Sequence, residues 1–530
     1  MSEFRDEVHY GDRVLRCYRE RPAHIDAMFQ ATVAHNPETI AVVAGDRRTS
    51  YRELADQVGR VAGNLRALGV AQGDRVAMLV GNRVEFILIV LAAARLGAIV
   101  VPIGTRQRRP ENEYVLAQSG AKVLVHEAEL AAELPAPAAV PGLAHRVVVG
   151  GSAAGSRDFA ELLRSAAAPA EVRIDEDDTF CILYTSGTTG RPKGAMLTHF
   201  STVHSCLHFR DCMKLRAGDS TILAVPASHV TGLVAIILNM IQLGGTTVLM
   251  PVFKARAYLE LASRERINMT ILVPAMYNLC LLDPEFDRFD LSNWRIGGYG
   301  GAPMPEATIR QLAEKLPNMM LCNAYGATET TSPTTIMPLG DGIAHADSVG
   351  KVVPCGEIRV MDDAGCEVEP GAPGEIWIAG AMVVPGYWQM PEANAANFTG
   401  GYWRSGDIGS VDAEGYVRVF DRKKDMINRG GYKVYSAEVE NVLSHHPGVV
   451  ECAVVGRPDP VLGEKVQAFI LAKDAATSEA DIRAFCASRI ADYKVPDRII
   501  FLPQPLPRNA NGKVLKGELR QLVQADPKPA

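Results

Sequence analysis

The sequence predicts an α/β protein: a large amino-terminal domain of two parallel-sheet α/β subdomains with a small β-rich subdomain, followed by a small α+β carboxy-terminal domain. Three observations predict it. The chain has 530 residues, more than a single hydrophobic core usually supports, so at least two domains are expected. Strand-like apolar runs alternate with helical patterns from about Ala41 onward, the order that gives parallel strands with helical crossovers. After about Asp347 the texture changes to short strands separated by Gly, Pro and Asp, which marks a β-rich stretch and then a distinct final block.

In the first set, Arg75 to Val80, Ile99 to Ile103 and Lys122 to His126 read as strands, with helices over Val84 to Leu96 and Pro110 to Ser119. The Ala/Pro-rich stretch Ala131 to Gly142 breaks the pattern and reads as a surface connection. A second set follows, with strands expected at Thr179 to Tyr184, Ser220 to Val225, Thr246 to Met250, Met269 to Val273 and Trp294 to Tyr299. The β-rich stretch supplies Glu357 to Met361, Gly374 to Ala379 and Tyr416 to Phe420. The last block carries strands at Val449 to Val455 and Val466 to Leu471 and helices at Ala437 to Ser444 and Glu479 to Ile490. The domains are therefore placed at residues 1–420 and 421–530.

Composition excludes several classes of function. Apolar residues make up 47% and charged residues 22% of the chain, with a net charge of -6, so there is no basic footprint for nucleic acid. The apolar runs Phe86 to Ala94 and Leu233 to Ile241 are too short to cross a bilayer and read as buried helices. Met1 to Arg21 is charged throughout and carries no secretory signal pattern, so a cytoplasmic protein is expected. The 10 cysteines form no CxxC pair and no zinc spacing, which points to reduced, mostly buried thiols.

The most informative segment is Tyr184-Thr-Ser-Gly-Thr-Thr-Gly-Arg-Pro-Lys-Gly194, which starts at the end of an apolar strand. Glycines there let backbone N–H groups approach an anion, hydroxyls add donors, and Lys193 adds charge. It is not a Walker loop, because Pro192 precedes the lysine and Gly194 follows it where Ser or Thr would hold magnesium. Taken alone, the same composition also describes a flexible surface loop.

The full string closely resembles the signature of the adenylate-forming superfamily, in its acyl-CoA and aryl-CoA synthetase branch. The resemblance continues in order through Asn323-Ala-Tyr-Gly-Ala-Thr-Glu-Thr330, Tyr402-Trp-Arg-Ser-Gly-Asp407, Asp421-Arg422, Gly430-Gly431 and Asn511-Gly-Lys513. It implies an ATP-dependent, magnesium-dependent enzyme that activates a carboxylic acid as an acyl-adenylate and passes the acyl group to coenzyme A. A free-standing adenylating enzyme that loads an acyl carrier protein uses the same first step and is the alternative.

By that resemblance, Thr185, Ser186, Gly187, Thr188, Thr189, Gly190 and Lys193 cradle the phosphates of ATP. Tyr325 stacks on adenine between Asn323, Ala324 and Gly326, with Gly300, Gly301 and Ala302 as the opposite wall. Thr328 bonds the α-phosphate and Glu329 holds magnesium, an oxygen ligand suited to a hard cation. Asp407 accepts from both ribose hydroxyls, as an acceptor-only carboxylate can, and Arg422 supports the same ribose; outside this context Gly406-Asp407 reads as a plain turn. Lys513 matches the lysine that neutralises the attacking carboxylate and the α-phosphate. The resemblance makes the carboxy-terminal domain mobile, with Lys424 at the hinge position, where exposed linker charge is an equally ordinary explanation. Gly430 and Gly431 line the pantetheine tunnel.

His229, in Pro226-Ala-Ser-His-Val-Thr-Gly232, matches a family position bordering the acyl pocket, although a satisfied core histidine fits the same pattern. Ser228 stands where the family usually has an aromatic, which leaves the pocket shape open. No acidic residue occurs between Pro226 and Asn239, which argues against an amino-acid substrate. Tyr277, Tyr299, Ala324 and Thr331 are expected to line the remaining wall, mainly apolar, and the acid is expected to be a fatty or hydrophobic aryl acid. A homodimer is carried as an open expectation.

Overall fold

The computed structural model describes residues 2–167, 171–185, 191–474, 477–508 and 514–525. The chain divides into two compact units: Met1–Ile358 with Trp377–Arg404 and Gly415–Val417, and Arg359–Ile376 with Ser405–Glu414 and Arg418–Ala530. The division falls at several points between 358 and 418, because strands of the β-rich stretch contribute residues to both units.

The first unit is α/β, as the sequence predicts. Its seven-stranded sheet runs, edge to edge, Lys193–Thr198, Thr179–Thr185, Ile99–Pro102, Arg75–Leu79, Val123–Glu127, His145–Val149 and Arg157–Asp158. All neighbours are parallel except the first pair, which is an antiparallel hairpin. The helix Val84–Arg95 has nine consecutive buried residues, as a crossover packed on all sides requires.

The second expected set of strands does not form one sheet. Thr179–Thr185 joins the first sheet, because its residue Cys181 pairs with Val100. Ser220–Leu223 and Thr246–Leu249 pair in parallel with Ile40–Ala44, a strand from far upstream. Met269–Leu272, Ile296–Tyr299 and Met320–Tyr325 form a parallel run continued antiparallel by Thr335–Ile336 and Lys351–Val352. These two sheets meet where Asn268 N donates to Ser220 O at 3.0 Å. The apolar run expected as an ordinary helix is a π-helical stretch, Thr231–Leu238, continued by the short helix Asn239–Leu243. The charged amino terminus is a two-stranded hairpin, Phe4–His9 with Arg13–Tyr18.

The second unit is α+β. Its main sheet is ordered Tyr432–Val434, Ile427–Arg429, Gly463–Ala472, Val449–Asp459, with Arg498–Phe501 parallel to Gly463–Ala472. Alternation along the central strand buries both faces: Val466, Ala468 and Ile470 pack with Val439, Leu443 and Ile482, and Phe469 packs with Ala453, Val455 and Leu519. The described residues contain no helix long and apolar enough to cross a membrane.

Candidate active site

The predicted phosphate loop is the connection of a hairpin. Thr185 pairs with Lys193 and Tyr184 with Gly194, so the loop is closed at its base by strand pairing. Ser186, Gly187, Thr188, Thr189 and Gly190 lie outside the described residues. Gly194 is required because a Cβ there would come within 2.6 Å of the Ile182 side chain and 3.1 Å of the Tyr184 ring.

Residues 386–388 add to the free edge of this hairpin. Met196 N donates to Gly386 O at 3.0 Å and Trp388 N donates to Gly194 O at 2.8 Å. That register sets the Tyr387 ring beneath Lys193, whose Nζ lies 5.0 Å from the ring centroid, within cation–π range. Lys193 Nζ also lies 3.5 Å from Asn397 Oδ1. On its far side the Tyr387 hydroxyl donates to Glu329 Oε1 at 2.9 Å. Tyr387 is 2% exposed and Glu329 8%, so the bond is made where water competes little.

Glu329 is held by its backbone as well. It sits in the single turn Thr328–Thr330, Ala327 N donates to Thr330 Oγ1 at 3.0 Å, and Val384 N donates to Glu329 O at 3.0 Å. Thr331 follows at φ 49°, fully buried, with a 3.1 Å hydroxyl contact to Ser201. The structure thus brings Lys193, Glu329 and the half-buried Thr328 to one place. It directs Thr331 inward to Ser201, the residue whose N–H is capped by Thr198 at the start of the helix His199–Cys212.

Beside this cluster, two parallel strands end in register, Tyr299 opposite Asn323. Gly300 then passes so close to Ala324 that a Cβ would come within 2.4 Å of the Ala324 carbonyl oxygen. Gly301 follows at φ 78°, and Gly301, Ala302 and Gly326 are exposed while Ala324 and Tyr325 are half-buried. The carboxyl ends of parallel strands are where α/β sheets bind ligands. A backbone stripped of side chains at Gly300 and Gly301 next to one aromatic ring suits a flat heterocycle.

His229 is half-buried at the head of the π-helical stretch, and its carbonyl accepts from Leu233 N at 2.8 Å. The buried Asn82 fixes the approach to it. Its amide donates to Leu223 O at 3.1 Å, Val225 O at 3.0 Å and Met250 O at 3.0 Å, and its Oδ1 accepts from Ala227 N at 2.8 Å. Tyr277 is fully buried, with its hydroxyl donating to Gly298 O at 2.9 Å. It therefore supports the strand behind the Gly300 turn, and Tyr299, 3% exposed, is likewise mostly inside.

In the second unit, Asp407 and Arg422 are partners. Arg422 Nε lies 2.7 Å from Asp407 Oδ1, Asp407 N donates to Ser405 Oγ at 2.9 Å, and Asp407 is 4% exposed. Pairing of the strands that carry them, Tyr402–Val411 and Val417–Arg422, explains the meeting. Asp421 accepts from Ser436 N at 2.5 Å and Oγ at 2.6 Å, and Lys516 donates to Ser436 Oγ at 2.6 Å and lies 2.7 Å from Glu440. Burial lowers the Lys424 ammonium below the usual lysine range, and Arg520 donates to the Lys424 carbonyl at 3.2 Å. Gly430 and Gly431 form the turn between Ile427–Arg429 and Tyr432–Val434 at φ 60° and 91°. Within this unit a Cβ on Gly431 meets nothing within 4 Å, so the positive φ selects glycine there. Lys513 lies outside the described residues; Arg508 and Val514 bridge on either side of it.

The sequence matches the AMP-binding enzyme family over residues 29–388. The chain belongs to that family. Residues 438–513 match the AMP-binding enzyme C-terminal domain. Among relatives of this AMP-binding enzyme, it is 38% identical over 501 residues to the long-chain-fatty-acid–CoA ligase FadD13 of Mycobacterium tuberculosis, covering 94% of this chain and 97% of that one. The structure is similar to that of the anthranilate CoA ligase AuaEII in complex with anthranoyl-AMP, with a TM-score of 0.89, 28% identity and 96% and 98% of the two chains covered. It is similar also to the o-succinylbenzoate coenzyme A synthetase of Bacillus subtilis in complex with ATP and magnesium ion, with a TM-score of 0.83, 29% identity and coverages of 94% and 99%. The protein is an ATP-dependent, AMP-forming acid–thiol ligase of the acyl-CoA and aryl-CoA synthetase branch.

Proposed function

We propose that this ligase activates a fatty or hydrophobic aryl acid and transfers it to coenzyme A, and that Lys193, Tyr387 and Glu329 form the phosphate side of its adenylation site. The observation that carries the reading is the convergence of a cation, an aromatic hydroxyl and a buried carboxylate from three separate segments on one spot. Polyphosphate needs the cation, and the Glu329 carboxylate with the Thr328 hydroxyl is an all-oxygen donor set of the kind magnesium prefers. Bound there, magnesium would neutralise charge on the triphosphate.

In the first half-reaction a carboxylate oxygen of the acid attacks the α-phosphorus, and the bond to pyrophosphate breaks. Lys193 holds the departing phosphates, Thr328 donates to the α-phosphate, and Lys513 offsets the repulsion between the two anions that meet. Tyr325 and the Gly300–Ala302 turn hold adenine; Asp407 accepts from the ribose hydroxyls with Arg422 beside it. In the second half-reaction the thiol sulfur attacks the acyl carbon, its proton leaves to solvent, and AMP departs. Lys424 serves as hinge and Gly430 with Gly431 leaves room for pantetheine.

The acid is read as apolar because His229 leads into Leu233–Leu238, every residue of which is buried, with no acidic side chain to meet an amine. A panel of fatty and aryl acids assayed by pyrophosphate release tests the substrate class. The same mixtures with coenzyme A test the acceptor: acyl-AMP accumulating without acyl-CoA would favour a carrier-protein thiol. Cytoplasmic residence and a homodimer belong to the same reading, and fractionation and sedimentation check them.

A further inference from the structure

We propose that the amino-terminal hairpin is a positioning element for adenylation, acting through Arg13 on the segment that carries Tyr387. The inference rests on the reading of Glu329 as the magnesium-side carboxylate. The hairpin Phe4–His9 with Arg13–Tyr18 is a sheet of its own, and an isolated two-stranded hairpin is marginal in water. Side-chain anchors therefore decide where it sits, and they are placed next to the hairpin that bears Lys193. The Tyr10 hydroxyl and Thr198 Oγ1 are 2.8 Å apart, and Thr198 is the last residue of the strand that begins at Lys193. Asp177 holds the turn twice, with Oδ1 2.7 Å from His9 Nδ1 and Oδ2 accepting from Tyr10 N at 2.8 Å. His9 stacks on Phe200 at 3.7 Å.

Arg13 starts the second strand and reaches away from its own sheet. Its Nη1 donates to Val384 O at 3.1 Å and its Nη2 donates to Pro385 O at 2.9 Å. One planar fork thus fixes two consecutive carbonyls, a geometry a lysine cannot reproduce. Val384 is also the residue whose N–H holds the Glu329 carbonyl at 3.0 Å, and Tyr387, two residues beyond Pro385, holds the Glu329 carboxylate. A second route runs through rings: the Arg13 guanidinium lies 5.9 Å from the Phe398 centroid, and Phe398 meets Tyr387 edge-on at 5.6 Å. Both routes end on the hydroxyl that orients Glu329. Arg13 itself is half-buried, so a small cation from solvent can take its place.

The test uses the full chain and pyrophosphate release as a function of free magnesium, with acid and ATP saturating. Arg13→Ala is expected to raise the half-saturating magnesium concentration roughly tenfold, the scale of losing charge-assisted hydrogen bonds, with the KM for the acid unchanged. Tyr387→Phe is expected to give a similar shift, and the double variant one no larger than the worse single, since both act on one path. Guanidinium ion added at millimolar concentration is expected to restore Arg13→Ala in part and Tyr387→Phe not at all; Arg13→Lys should fall between. Additive effects, or an Arg13→Ala variant that loses only thermal stability at unaltered magnesium dependence, overturn the proposal. Glu329→Gln run alongside separates the two readings. If that variant keeps the parent's magnesium dependence, the Glu329 assignment fails; if it is altered while Arg13→Ala is not, the clamp fails.

Discussion

Lys193 in the first unit and Lys516 in the second are held in opposite ways. In the first, Lys193 faces the Tyr387 ring and an Asn397 oxygen, and among the described residues no carboxylate forms an ion pair with it. In the second, Lys516 sits 2.7 Å from Glu440 and Arg422 sits 2.7 Å from Asp407. A direct ion pair spends a cation's field on its partner, whereas a ring positions the cation and leaves most of its charge for a ligand. The difference separates a lysine placed for an incoming anion from one that ties two helices together. Tyr387 adds a second use of the same side chain, since its hydroxyl donates to Glu329.

The strongest way to break this comparison is to neutralise the two lysines in turn. Lys193→Met is expected to lower adenylation about 10²- to 10³-fold, the usual loss when a preorganised charge is removed, with the unfolding midpoint nearly unchanged. Lys516→Met is expected to do the reverse, costing about 1–3 kcal/mol of stability by stranding Glu440 and unlinking Ser436. Burial already pushes the Glu440 carboxyl above its usual range, with Lys516 opposing that rise, so an unpaired Glu440 should take up a proton. Denaturant unfolding and single-turnover pyrophosphate release on both variants check the pair; matching profiles would dissolve the distinction. Lys513→Ala extends the contrast: adenylate formation should fall about 10²- to 10³-fold, and thioester formation from supplied acyl-AMP far less.

A smaller effect is expected at the strand ends. Gly300→Ala pushes a methyl to within 2.4 Å of the Ala324 carbonyl oxygen, and crowding of that kind typically costs about 1–3 kcal/mol. The strand must shift, so the KM for ATP should rise more than the KM for the acid, measured by initial rates.

Much of the frame was legible because it is set by local patterning. The helix Val84–Arg95 and the strands Arg75–Leu79, Ile99–Pro102 and Val123–Glu127 lie within a few residues of their expected places, as continuous apolar runs bounded by turn residues should. Strand partnership was less legible: nothing local tells Thr246–Leu249 to pair with Ile40–Ala44, since that choice is made by packing between distant segments. The amino-terminal hairpin is not legible in the sequence because its outward residues include Val8 and Val14 while charges dominate the rest, so neither face shows a clean alternation. Its turn did leave a mark, Tyr10-Gly11 at φ 55° and 89°, where glycine is favoured. The motif strings pointed to Lys193, Thr328 and Glu329, but Tyr387, Arg13 and Asn82 act through hydrogen bonds to remote backbone or side chains. Such links have no period and no motif, so only the fold reveals them.

The smallest effect concerns acid. Arg21 bonds both Glu7 oxygens, at 2.7 and 2.8 Å, and Glu176 at 2.6 Å. The hydrogen bond from Arg21 holds the Glu7 carboxyl down from 4.5 to about 2. A carboxyl lowered in the fold lends stability that is complete above its unfolded pKa and lost as pH falls toward its folded one. The hairpin should therefore loosen between pH 4.5 and about 2, by on the order of 1–3 kcal/mol. Glu7→Gln should be less stable than the parent at neutral pH and lose less in that window, as thermal unfolding across the acid range will show.

The most direct test of the account is the identity of the nucleotide products. The purified protein is incubated with a fatty or aryl acid, ATP, magnesium and coenzyme A, and the mixture is resolved by mass spectrometry. AMP and pyrophosphate in equal amounts, matched by acyl-CoA, is the predicted result; ADP and phosphate would contradict it.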